Sequence, residues 1–124
     1  MADMSTIASQ FTEFYYKTFD TDRTQLAGLY RNNSMLSFEG AQFQGTQNIL
    51  EKLTNLPFQK VQHKVGTIDT QPTGETQSSL FVLVTGALVV DDGENPLNFT
   101  QAFTLVPDAG SFYVYNDVFR LSFG

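Results

Sequence analysis

Residues 78–90, SSLFVLVTGALVV, are apolar on both faces of the strand their β-branched content favours. Alternate side chains of a strand share a face, which puts Phe81, Leu83, Ala87 and Val89 on one side. Leu80, Val82, Val84, Leu88 and Val90 then lie on the other. An antiparallel strand normally keeps one face in water, so this one needs a cover on each side. A chain of 124 residues forms one domain with one core, spanning residues 1–124. Helices of the same chain supply one cover. A second copy of the sheet supplies the other, and the pattern predicts an isologous homodimer through the sheet face.

The helices precede the strands. From Met4 to Phe19 the residues Ile7, Phe11, Phe14, Tyr15 and Phe19 recur at helical spacing, with Ser5 placed to cap the start. Asp22 followed by Gln25 resembles a capping pair, and Leu26, Leu29 and Tyr30 give a second short helix its apolar face. Residues 34–38 read as a strand, Gly40 and Gly45 as turns, and residues 47–53 as a third helix, ended by Pro57. Residues 59–69, 78–90, 97–106 and 112–121 then read as long strands separated by QPTGE, DDGENP and PDAG. Helices followed by an antiparallel meander make the fold class α+β.

Twelve Phe and five Tyr with no Trp give a core of large flat side chains, which leave gaps and make an apolar cavity plausible. The absence of Cys removes disulfides, thiolate catalysis and thiolate metal sites, and fits a reducing compartment. The formal charge of −6 has the wrong sign for gripping nucleic acid or an anionic membrane. The N-terminus lacks a secretory pattern and no apolar run is long enough to span a bilayer, so a soluble intracellular protein is expected.

Ionisable residues sit among apolar flanks in FEGAQFQG (38–45) and LPFQKVQH (56–63). His63, the single histidine, shares a strand face with Val61 and Val65. Glu39 and His63 read either as a recognition site at the edge of an apolar surface, or as a solvated carboxylate and a hydrogen-bonded core imidazole. The acidic loop Asp91, Asp92, Gly93, Glu94 has three readings. Composition favours a solvated hairpin tip. Calcium binding is weakly supported, since DDGENP lacks the ligand spacing of an EF-hand. The third is a docking patch for basic residues of a partner.

These two blocks, with FYYKTFDTDRTQLAGLY (14–30) and NDVFRL (116–121), resemble the nuclear transport factor 2 family, especially its fungal members, collinearly over nearly the whole chain. The resemblance implies a cone: a curved antiparallel sheet wrapped on an N-terminal helical hairpin and a third helix, around an apolar cavity open at one end. It implies a homodimeric carrier without cofactor, metal or catalytic activity, in cytoplasm and nucleus and concentrated at nuclear pores. Its partners would be the GTPase Ran in its GDP form and FxFG repeats of nuclear pore proteins. A phenylalanine of Ran would enter a cavity lined by Phe38, Leu56, Phe58, Val61, Leu97, Val118 and Phe119. Basic residues beside that phenylalanine would pair with Glu39 and Asp91, with Asp92 or Glu94 as a further acid, while His63 orients groups at the rim. The FxFG site would use Met4, where animal members carry Trp, with Ile7 and Arg120.

The same cone also hosts small-molecule isomerases and dehydratases, a second reading that fold alone leaves open. Such chemistry needs a carboxylate base and a Tyr or acid donor deep in the pocket. Asp69 and Asp117 are the candidates, with Asp117 expected to pair with Arg120 or a backbone amide. A buried carboxylate facing a Tyr hydroxyl across the cavity would favour the enzyme; an acid-free cavity would remove it.

Overall fold

The computed structural model describes residues 3–73 and 79–122. Ser78 at the head of the predicted 78–90 strand, Gly74 and Glu75 of the QPTGE turn, and Phe123–Gly124 lie outside the described residues. The elements run α1 (Met4–Thr21), a 3-10 helix (Arg23–Leu29), β1 (Tyr30–Phe38), β2 (Ala41–Gln44), α2 (Thr46–Thr54), β3 (Val61–Pro72), β4 (Leu80–Val90), β5 (Leu97–Asp108) and β6 (Ser111–Ser122).

Helix α1 is capped by Asp3, not Ser5: the Asp3 carboxylate accepts from the Thr6 amide at 2.8 Å. Ala8, Thr12, Tyr15, Tyr16 and Phe19 are its buried residues. The second predicted helix is a 3-10 helix, started by Asp22, whose carboxylate accepts from the Thr24 amide at 3.1 Å. It buries one residue, Leu26. Helix α2 buries Ile49 and Leu53, with Leu50 half-buried against the core.

The six strands form one curved mixed sheet in the order β2-β1-β6-β5-β4-β3. β3 to β6 are the expected antiparallel meander. β1 breaks that pattern by pairing parallel to β6, with Leu36 beside Asp117 and Phe38 beside Phe119. A parallel neighbour needs a long crossover, here the whole segment from β2 to β5. β2 is a short edge strand occupying the stretch between the predicted turns at Gly40 and Gly45. Those glycines take φ of 90° and 89°, in the left-handed region that suits glycine.

Strand β4 divides as its alternation requires. Leu80, Val82, Val84 and Leu88 are buried, whereas Phe81 on the opposite face is 39% exposed. Tyr115, Val118 and Val65 are also exposed apolar side chains. On the inner face, Phe103 packs edge-on against Tyr15 at 4.9 Å and Phe11 at 5.1 Å. Burying Phe99 and Phe103 contributes roughly 1.5–3 kcal/mol each. Two irregularities re-aim side chains. Gly66 is the extra residue of a bulge between β3 and β4, and Tyr115 is skipped in the β5–β6 register, so that Val114 and Asp117 both face inward.

Candidate functional site

A narrow apolar cavity, partly open to solvent, lies between α1, α2 and the inner face of the sheet. Its walls are Phe38, Leu53, Leu56, Phe58, Val61 and Phe119, with Tyr15, His63, Gln101 and Asp117 forming its polar part. Phe38 and Phe119 stack at 4.8 Å with planes 10° apart, because the parallel β1–β6 register sets them side by side. Five of the predicted lining residues therefore come together: Phe38, Leu56, Phe58, Val61 and Phe119. Two do not. Val118 is 45% exposed, since the alternation that turns Phe119 inward turns its neighbour out. Leu97, the first residue of β5, is half-buried against the core and is not part of the wall.

His63 is placed in the wall and not at an exposed rim. Its side chain is 3% exposed and lies 4.7 Å from the Tyr16 ring, with Phe19 and Phe99 edge-on. Asp20, at the end of α1, holds it at two points, accepting from the His63 amide at 2.8 Å and bonding Nδ1 at 2.6 Å. Asp20 went unrecognised in the sequence because it is far from His63 along the chain.

The predicted acids lie on exposed turns. Glu39 has φ 52°, Asp91 51° and Asp92 57°, three of the four non-glycine residues with positive φ among the described residues. Such backbone is costly for residues with a side chain, by about 1 kcal/mol or more each, and concentrates at functional sites. Each acid also has an internal role. The Glu39 carboxylate accepts from the Leu121 amide. Asp91 accepts from the amides of Gln59 and Lys60 at 3.0 Å each, fastening the 91–94 loop to the segment that enters β3. Asp92 pairs with the Lys60 ammonium at 3.0 Å in a fully hydrated setting. Glu94 is exposed.

The proposed FxFG residues are not assembled within one protomer. Met4 is 37% exposed at the start of α1. Ile7 lines a shallow groove with Phe11, Phe14, Leu29 and Phe112. Arg120 lies elsewhere, its guanidinium against the Gly40 turn.

Asp117 overturns the sequence-based pairing with Arg120. It is 1% exposed and bonded to side chains of three other elements. Tyr30 donates to Oδ2 at 2.8 Å and Tyr15 at 3.3 Å, while Gln101 donates to Oδ1 at 2.7 Å. Tyr16 donates to Gln101 at 2.7 Å, and the hydroxyls of Tyr15 and Tyr30 are 2.8 Å apart. Burial pushes the Asp117 pKa up to about 6, against the opposing effect of its hydrogen bonds. Burial, reinforced by the Asp117 charge, pushes all three tyrosines well above their ordinary range.

This cluster carries a pH signature. A raised carboxyl pKa favours the fold fully below the unfolded value near 3.8, and that contribution is lost as pH rises through about 6. Asp117→Asn removes the ionisation while keeping an acceptor for Gln101. Between pH 4 and 7.5 the stability difference, variant minus wild type, is expected to move in the variant's favour by about 1–3 kcal/mol. Urea titrations at both pH values measure it, and a constant difference refutes the cluster's charge cost.

Arg23 shapes the cavity from outside. Its guanidinium donates to Leu53 O at 3.1 Å and Phe58 O at 2.9 Å, and lies 5.2 Å from the centre of the Phe58 ring. It thereby holds the segment bearing Leu56 and Phe58 onto the 3-10 helix. Arg23→Ala is expected to cost about 1–3 kcal/mol and to speed amide exchange in residues 54–60, with Arg23→Lys recovering only part because an ammonium lacks the fork. Unchanged exchange would show that the segment holds itself.

The enzymatic reading required a carboxylate in the cavity, and Asp117 supplies one. Its oxygens, however, are taken up by hydrogen bonds, Oδ2 from Tyr15 and Tyr30 and Oδ1 from Gln101, instead of being presented across an open space to a substrate. Asp69 is exposed on β3, away from the cavity. Among the described residues no cluster of three or more His, Cys, Asp or Glu could hold a metal, and no helix is long and apolar enough to cross a membrane.

Residues 7–121 match the nuclear transport factor 2 (NTF2) domain. The chain is 61% identical over 122 residues to nuclear transport factor 2 of Emericella nidulans, covering 98% of this chain and 97% of the relative. It is 56% identical to that of Schizosaccharomyces pombe over the full length of both. The solved structure of nuclear transport factor 2 from Cryptosporidium parvum superposes with a TM-score of 0.88 at 44% identity, covering 95% of this chain and 94% of that one. These relatives are named for transport and not for catalysis, which supports a transport carrier over the isomerase or dehydratase reading. A matching domain over nearly the whole chain, relatives above half identity and the shared cone make this chain a member of the nuclear transport factor 2 family, acting in nuclear transport.

Proposed function

We propose that this carrier, as a homodimer, takes Ran-GDP into the nucleus, receiving a phenylalanine of Ran in the cavity and touching FxFG repeats of pore proteins through the start of α1. The observation that carries the reading is an apolar cavity whose wall includes Phe38, one residue before an acid held in left-handed backbone. Glu39 on one side and the Asp91–Glu94 loop on the other give basic residues of Ran two anchoring points. Glu39 keeps one carboxylate oxygen for a partner, since the Leu121 amide takes the other. The protein would work in cytoplasm and nucleus and concentrate at pores.

The dimer is supported by the outer sheet face, where Phe81, Tyr115 and Val118 are 39%, 40% and 45% exposed. Large apolar side chains left exposed on one sheet face suit an interface. Light scattering at micromolar concentration should give about twice the chain mass, and a monodisperse monomer rules that interface out. The function itself is tested by capture of Ran loaded with GDP or with GTP. Recovery of the GDP form alone is expected; equal recovery of both defeats the carrier reading.

A further inference from the structure

Among the described residues, no cation is bonded to the carboxylate of Asp117 in the cavity wall. Asp117 is surrounded by Tyr15 and Tyr16 from α1, Tyr30 from the start of β1, Gln101 from β5 and, across the same cavity, His63 from β3. The nearby charged groups are engaged elsewhere. Asp20 is bonded to His63, Arg23 to backbone carbonyls, and Lys52 of α2 lies 5.4 Å from the Phe38 ring centre. The ionised form of Asp117 thus rests on three neutral donors and on whatever polarity the cavity retains.

A phenyl ring seated in the cavity against Phe58 and the stacked Phe38–Phe119 pair removes that polarity. It excludes water, offers no donor to the carboxylate and leaves the neutral acid almost unaffected. We propose that seating an aromatic side chain of a partner in the cavity is coupled to uptake of a proton by Asp117. The proposal rests on the cavity being the place where Ran's phenylalanine docks. By linkage, a partner that raises the proton affinity of Asp117 must itself bind more tightly in the protonated protein. Because burial already holds this carboxyl near pH 6, the coupling falls in a range where folded protein and partner can be studied together.

Titration calorimetry of the intact protein with GDP-loaded Ran at pH 6.5, in buffers of low and high ionisation enthalpy, tests it. The apparent binding heats should differ between buffers by an amount equivalent to roughly half a proton taken up per chain, and affinity should rise about two- to fivefold between pH 7.5 and 6. In Asp117→Asn the buffer dependence should disappear. If that variant does not fold, the carboxyl 13C titration of Asp117 in the wild type serves instead, its midpoint moving upward when Ran-GDP saturates the protein. Binding whose heat is the same in both buffers overturns the proposal and leaves the cavity as Ran's site. Absence of binding in either buffer overturns both. Proton uptake that persists in Asp117→Asn, or an unmoved carboxyl midpoint, assigns the proton elsewhere and overturns the role of Asp117.

Discussion

Gly86→Ala is expected to destabilise this protein strongly. A Cβ at Gly86 would sit 2.3 Å from Lys64 O, 3.1 Å from Val65 Cα and 3.2 Å from Gly66 N, all of them backbone atoms of the neighbouring strand. No rotamer change relieves a clash with backbone, so β3 must move away from β4 at the bulge where Gly66 is inserted. Overpacking that displaces strand pairing costs about 3 kcal/mol or more, which for a domain of this size lowers Tm by roughly 10 °C. Gly28→Ala is the control: nothing lies within 4 Å of its Cβ position, and a change within about 0.5 kcal/mol is expected there. Thermal melts of the two variants side by side decide the matter, and equal midpoints would mean that the close approach at Gly86 relaxes at little cost.

Glu39→Lys is expected to abolish detectable Ran-GDP binding, because the proposed pairing of Glu39 with a basic residue of Ran gives way to repulsion worth several kcal/mol. From sequence alone the substitution appears silent for stability. The bond from the Leu121 amide to the Glu39 carboxylate changes that expectation. Lysine cannot accept from an amide, and about 1 kcal/mol of fold stability should be lost as well. Glu39→Gln separates the effects, since it keeps an acceptor for Leu121 but not the charge. Melting and titration with Ran-GDP and with an FxFG peptide should show Gln nearly normal in stability and weakened in Ran binding, and both variants retaining the peptide. Wild-type affinity for Ran in Glu39→Lys would remove Glu39 from the binding site.

Helix and strand positions were readable because their periods are strong. The apolar stripe of α1 and the long β-branched runs of β3 to β6 lie within a few residues of where the sequence places them. The parallel β1–β6 pairing left no such mark, since a mixed neighbour is chosen by topology and not by the composition of either strand. The cavity was half legible. Phe38, Leu56, Phe58, Val61 and Phe119 announce themselves as large apolar groups, but Phe119 was grouped with Val118, which strand alternation forbids. The same alternation applied strictly to NDVFRL turns Asp117 inward beside Phe119 and exposes the buried carboxylate from sequence. Asp20 and Arg23 were beyond that reach. Their partners, His63 and the Leu53 and Phe58 carbonyls, are distant along the chain, and no periodicity links them.

The strand order has a consequence for synthesis. β1 pairs early with β2 but meets its parallel partner only in β6, so a chain emerging from the ribosome carries the half-wall formed by Leu36 and Phe38 long before Asp117 and Phe119 exist to complete it. During that interval α1 can dock on the 3-10 helix and on β3, but the stacked Phe38–Phe119 pair and the polar cluster around Asp117 are absent. A molecule clipped before β6 therefore keeps α1 and the acidic turns but lacks the inner wall of the cavity.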